Sequence, residues 1–282
     1  MNSSARLIAI AGFATAAISL PAAVMAQDSY QQPTQTQRAP EHAKSSADED
    51  KAKEVVSKLY AAAQADLAGH HYGEAAKAYE EALRVLEQLY GSHDEHLIDA
   101  LNGIVQTRMA WDNYIVLTGS PTSANVPLAV RAQERIVKID EQDGADSKTR
   151  IAATIDLGDV YLYTADKRAF ETYEDAWRQQ AKLDSPQSAD ALFGKVAMVR
   201  MRLPANPLGH EEWIATVHYD VGADGKATVA EVTGNAPETL ASAIRQSYAD
   251  GIFRPRLAAG EPVATSGLSS SHKYIATDQQ KH

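Results

Sequence analysis

The chain of 282 residues contains no cysteine. That absence excludes a disulfide scaffold, a cysteine-ligated zinc site, a thiol nucleophile and the lipid-modified cysteine of a lipoprotein. A positive surplus is missing as well: 27 Lys and Arg stand against 37 Asp and Glu, for a net charge of -10. A nucleic-acid binder needs a basic stripe to meet phosphates, so that class is disfavoured. The signatures of common chemistry are also lacking: there is no His-Glu-x-x-His, no Gly-x-Ser-x-Gly and no Gly-x-Gly-x-x-Gly. Gly225-Lys226 runs into Ala227 and is no phosphate loop. His93-x-x-His96, beside Asp94 and Glu95, has the spacing of a metal pair but no third ligand placed by sequence, so its histidines read as capping or solvated. His218, Tyr219 and Asp220 alternate along a strand and do not converge as a triad would. Neither catalysis nor a metal or cofactor is expected.

What is present begins with an export pattern. Arg6 is the only charge before Asp28. An apolar run from Leu7 to Leu20 follows, then Pro21, and small residues Val24 and Ala26 precede Gln27. This describes a secretory signal of residues 1–26, cleaved after Ala26. The alternative is an uncleaved anchor, because residues 7–26 are just long enough to span a bilayer. No other segment approaches the length of apolar run a spanning helix needs. Residues 27–50 are rich in Gln, Pro and Ser and poor in apolar groups, and they read as a disordered linker. Hydrophobic content of 44% marks the remainder as folded.

Residues 51–203 carry the helical period. Val55, Leu59, Ala62 and Ala63 begin an apolar stripe, Gly69 to Gly73 makes a turn, and Ala75, Ala76, Tyr79, Ala82, Leu83, Leu86 and Leu89 share the next face up to Gly91. Further amphipathic stretches are expected at about 94–117, 126–141, 147–164, 167–183 and 186–202, the last from Ser188 to Arg202 as a cap on the stack. Ala75-x-x-x-Tyr79-x-x-Ala82 recurs as Ala169-x-x-x-Tyr173-x-x-Ala176. Small residues let two helices of a hairpin close up, and the aromatic between them fills the gap to a neighbour. Together with Gly69-x-x-Tyr72-x-x-Ala75, these residues resemble the tetratricopeptide repeat. Tyr90-Gly91-Ser92-His93, Leu97 and Leu101-Asn102-x-Ile104 resemble its longer kinesin light chain form. The middle pair is divergent, with Gln133 where an aromatic belongs and an insertion from Thr118 to Pro127. The resemblance implies a concave groove that binds a peptide or partner, with Asn102, Arg108 and Asp156 as candidates to face it.

Residues 204–282 switch to period two after Pro204 and Pro207. Trp213, Ala215, Val217, Tyr219 and Val221 alternate with polar neighbours as a half-buried strand, and Ala223-Asp224-Gly225 turns into a second strand from Ala227 to Val232. Pro237 to Tyr248 reads as a helix with Leu240, Ile244 and Tyr248 on one face, and an extended stretch runs on to Ile275. The order β-β-α-β, with Val217-x-Tyr219-x-Val221, Asp224-Gly225, Phe253-Arg254-Pro255 and Gly260-Glu261-Pro262-Val263, resembles the C-terminal domain of TonB, the periplasmic energy transducer. Phe253, Pro255, Gly260 and Pro262 carry the most distinctive part.

The expected fold is therefore α+β in two domains, a helical repeat stack and a small β-β-α-β domain. The TonB resemblance implies strand addition: an exposed edge offers main-chain donors and acceptors to a segment of a partner. The candidate edge is Val263 to Tyr274, with Val263, Thr265, Ser266, Gly267 and Ser269 as the partner-binding residues. The function expected is a periplasmic protein-binding adaptor linked to envelope transport, its partners being proteins or peptides such as TonB-dependent outer-membrane receptors. The alternative is a TonB-type energy transducer anchored in the inner membrane and facing the periplasm. That alternative fits less well, because a repeat stack stands where a transducer has its Pro-rich spacer.

Overall fold

The structure, a computed structural model, describes residues 46–117, 125–142, 145–204 and 212–274. The expected signal, its cleavage site, most of the linker and most of the Thr118 to Pro127 insertion lie outside the described residues. Seven helices come first: α1 (Ser46–Ala68), α2 (Tyr72–Tyr90), α3 (Ile98–Leu117), α4 (Asn125–Gln142), α5 (Ser147–Tyr163), α6 (Arg168–Leu183) and α7 (Pro186–Leu192), with a 3-10 turn at Glu95–Leu97. Strands β1 (Ala197–Arg200), β2 (Trp213–Val221) and β3 (Ala227–Gly234) follow. Then come α8 (Glu238–Ala249) and β4 (Ile252–Arg254), β5 (Arg256–Ala258), β6 (Glu261–Val263) and β7 (Thr265–Tyr274). The class is mixed α and β, with small antiparallel sheets.

The first six helices pack as three consecutive pairs, each pair against the next. Their boundaries have local causes. Gly91 ends α2 at φ 91°, with its N–H on the Glu87 carbonyl, a conformation that costs glycine nothing. Asp146 starts α5 by accepting from the Lys148 and Thr149 amides, and Ser185 starts α7 by accepting from the Ser188 amide with Pro186 in the first turn. α1 begins at Ser46, inside the stretch expected to be linker. Asp48 and Glu49 suit its first turn, and Glu49 is tied down by Lys53 at 2.7 Å and by the Tyr90 hydroxyl at 3.2 Å.

The two copies of the small-aromatic motif pack differently: only the first reaches a neighbouring pair, as expected. Tyr79 lies against Gly103 of the next pair and Tyr173 against Gly158 of its own, so closely that a Cβ on either glycine would overlap the ring. Val56, Ala63, Tyr79, Ala82, Leu86, Leu97, Leu101, Ile104, Ile136 and Ile139 form the core of the first four helices.

The end of the helical block differs from expectation. The helix expected from Ser188 to Arg202 stops at Leu192, and Ala197–Arg200 is a strand. Gly194 weakens the helix, and Val196 and Val199 favour extended backbone. The decisive partner is distant: β1 pairs antiparallel with β4, Ala197 opposite Arg254 and Met198 opposite Phe253. Ile252 and Leu257 are buried in one core with Ile151, Leu157, Tyr161, Tyr173 and Phe193. Hydrogen bonding and hydrophobic core thus both cross the expected boundary at 203/204.

The main sheet has the order β3-β2-β7, antiparallel throughout. Ala215, Val217 and Val221 turn inward onto Leu240, Ile244 and Tyr248 of α8, while Ile214, His218 and Asp220 are exposed. The turn between β2 and β3 is closed by Gly222 N–H to the Lys226 carbonyl and by Lys226 N–H to Asp224 Oδ1. Gly225 sits at φ 77°, and its carbonyl accepts from Phe253 N–H at 3.0 Å.

Candidate functional site

Two surfaces have the form of binding sites. The first is the outer edge of β7. This ten-residue strand has β2 on one side and, among the described residues, no strand on the other. Its side chains alternate: Leu268, Ser270, His272 and Tyr274 are turned partly or wholly inward, and Ser269, Ser271 and Lys273 are exposed. The inner row is held by α8, through His272 Nε2 and the Tyr248 hydroxyl at 2.8 Å and an edge-on contact of their rings. Burial lowers the His272 pKa from the ordinary imidazole value. The outer row is polar, with Ser271 hydroxyl-bonded to Thr216 at 2.8 Å and Lys273 paired with Glu212 at 3.3 Å. At the start of the strand Gly267 takes φ 73°, its N–H given to Asp220 Oδ1 at 2.8 Å.

The residues expected to bind a partner divide here. Thr265, Ser266, Gly267 and Ser269 lie on β7, but Val263 ends β6, opposite Arg256 of β5. Phe253, Pro255, Gly260 and Pro262 are placed elsewhere again. Phe253 and Pro255 are buried. Gly260, at φ 83°, lies against the Trp177 ring of α6, and Pro262 faces Leu257 across the β5–β6 hairpin. The motif thus seats the β-rich block on α6 and α7. Asp190 completes the seat, its Oδ1 accepting from Trp177 Nε1 and Ala259 N–H, each at 2.9 Å.

The second is the set of helix positions expected to line a groove, on α3 and α5. Asn102 is exposed on α3. Arg108 is largely engaged: it donates to Asn125 Oδ1 at 2.8 Å and to Glu80 and lies 5.5 Å from the Trp111 ring centre, joining α2, α3 and α4. Asp156 of α5 is exposed, yet its pKa is pushed up to about 6, first by burial and then by the Asp159 carboxylate, with Arg254 opposing. Beside it, Asp159 accepts from the Tyr173 hydroxyl at 2.6 Å and from Arg254 at 3.1 and 3.2 Å. Burial raises the Asp159 pKa, and Arg254 and Tyr173 pull it back. Arg254 also lies 5.8 Å from the Tyr173 ring centre and 6.0 Å from that of Phe193.

Sequence reasoning missed Asp159, Tyr173 and Arg254 as a group. Arg254 sits inside the Phe253-Arg254-Pro255 triplet, but nothing local names a carboxylate 95 positions earlier as its partner.

Other candidates resolve into ordinary structure. Asp94 Oδ1 accepts from the His96 amide and lies 2.6 Å from His96 Nδ1, His96 stacks on Tyr90, and His93 Nδ1 lies 2.8 Å from Ser92 Oγ. Among the described residues no group of three or more His, Asp or Glu could hold a metal ion. Ser269, His218 and Glu231 fall in one cross-strand row. They are exposed, and no hydrogen bond joins them among the described residues.

No protein-family model matches this chain, and no curated protein matches it with significance. Among the described residues no helix is long and apolar enough to cross a membrane.

Proposed function

We propose that the chain is an exported, periplasmic protein-binding adaptor. Its helical pairs form a tetratricopeptide-like stack, and its β-rich block is a TonB C-terminal-like domain that takes up a partner's strand. The observation that carries the reading is the β7 edge, ten residues long and backed by β2 and α8. An added strand gains main-chain hydrogen bonds along such an edge whatever its side chains, and specificity comes from the two alternating rows. The partners are proteins or peptides of the envelope, with a segment of a TonB-dependent outer-membrane receptor as the leading kind. The repeated Tyr79 and Tyr173 motifs, with their glycine contacts, support the stack.

Photo-crosslinking tests this. A benzophenone side chain placed at Ser269 or Ser271 in cells should capture an outer-membrane protein, and the same group at Thr228 on β3 should not. Equal capture from β3, or none from β7, overturns strand addition. The mature N-terminus separates the adaptor from an anchored transducer: a soluble chain beginning at Gln27 excludes the anchor.

A further inference from the structure

A cleft of about 460 Å³ opens where the two blocks meet. Met201, Leu203 and Ala243 give it apolar lining. One wall is the extended exit from β1, which presents Arg200 and Arg202 two residues apart. Arg200 lies 5.0 Å from the ring centre of Tyr163, and the Tyr163 hydroxyl donates to the buried Asp112 at 2.9 Å, which fixes ring and guanidinium together. Arg202 is exposed and makes no ion pair or hydrogen bond among the described residues. The other wall is the last turn of α8, with Gln246, Ser247 and Asp250. Asp250 caps that helix and receives Gln246 Nε2 on Oδ1 at 3.0 Å. Its second oxygen takes no hydrogen bond among the described residues. The carbonyl end of a helix carries partial negative charge, so this wall favours a cation.

We propose that this cleft binds a short peptide through both of its free ends, the carboxylate on Arg200 and Arg202 and the ammonium on Asp250 and the α8 terminus. Paired guanidinium groups suit a carboxylate. Apolar lining with a few polar groups is the common form of a small-ligand site. The net charge of -10 repels a free anion at long range, so a ligand of no net charge that offers both signs locally fits the cleft better than an acid does. The inference goes beyond strand addition: it uses no residue of β7.

Isothermal titration of the full chain with trialanine tests it, using three forms of the probe: both ends free, N-acetylated, and C-amidated. The free form binds at one site, and blocking either end weakens binding by about tenfold, the weight of one charge-assisted hydrogen bond. Arg202→Gln, at an exposed position with no ion pair among the described residues, weakens the free form without changing the melting temperature. Asp250→Asn makes the free and acetylated forms bind alike. Absence of binding, equal binding of all three forms, or loss on amidation alone overturns the proposal. Crosslinking from Ser269 reads strand addition separately, so either idea can fail without the other.

Discussion

Asp156 and Gly158, two positions apart on α5, show how single side chains set the energetics of the stack. Asp156 has its pKa raised to about 6, against about 4 for a free carboxylate. The folded state therefore prefers the protonated form. Stability falls as pH rises from about 4 towards about 6, because the unfolded chain gives up its proton first, and the penalty is constant above that window. Asp156→Asn should raise the melting temperature at neutral pH and leave it unchanged near pH 4, as read by a pH series of thermal melts. Gly158 has the opposite character. Alanine normally favours a helix over glycine, but here its methyl would overlap the Tyr173 ring. Gly158→Ala should cost about 1–3 kcal/mol in urea unfolding, the range for overpacking.

Among the elements, β4 and β7 carry opposite roles although both belong to the β-rich block. β4 looks inward, and its Arg254 meets Asp159 where both side chains are mostly covered. Arg254→Ala should destabilise by about 2 kcal/mol, since it removes charged hydrogen bonds and leaves a carboxylate poorly solvated. Asp159→Asn should cost less, because the amide still accepts from Tyr173. β7 looks outward, and His272 gives it a pH dependence. Its lowered pKa means that the unfolded chain takes the proton first as pH falls below about 6.5. Stability is then lost towards acid, and His272→Gln should flatten melting temperature against pH between neutral and pH 5. The strands show where sequence is informative. Alternation in Trp213–Val221 is a local property that burial reproduces residue by residue, and most of the helical stripe of α2 and the Ala169, Tyr173 and Ala176 stripe of α6 are buried likewise. β1 was illegible, because Ala197–Arg200 is extended through its pairing with β4, and a periodicity argument sees no partner more than fifty residues away. For the same reason Phe253, Pro255, Gly260 and Pro262 were recognisable as a motif while their contact with α6 and α7 was not.

For the molecule as a whole, the two blocks share one core. Deleting 204–282 removes Ile252 and Leu257 from among Leu157, Tyr161 and Tyr173 and leaves β1 without its partner. The truncated chain should melt well below the full chain or lose its cooperative transition, and the full chain should unfold in a single step by calorimetry. Two separate transitions would show that the shared core is energetically minor. The same feature orders events in time. Asp159 finds Arg254 only across 95 positions, and contacts so distant in sequence form late and slowly. A nascent chain that has emerged only as far as Pro204 displays an unsealed hydrophobic face on its last helix pair. The end of the chain supplies the seal, so completion of α5 and α6 waits for the arrival of Leu257.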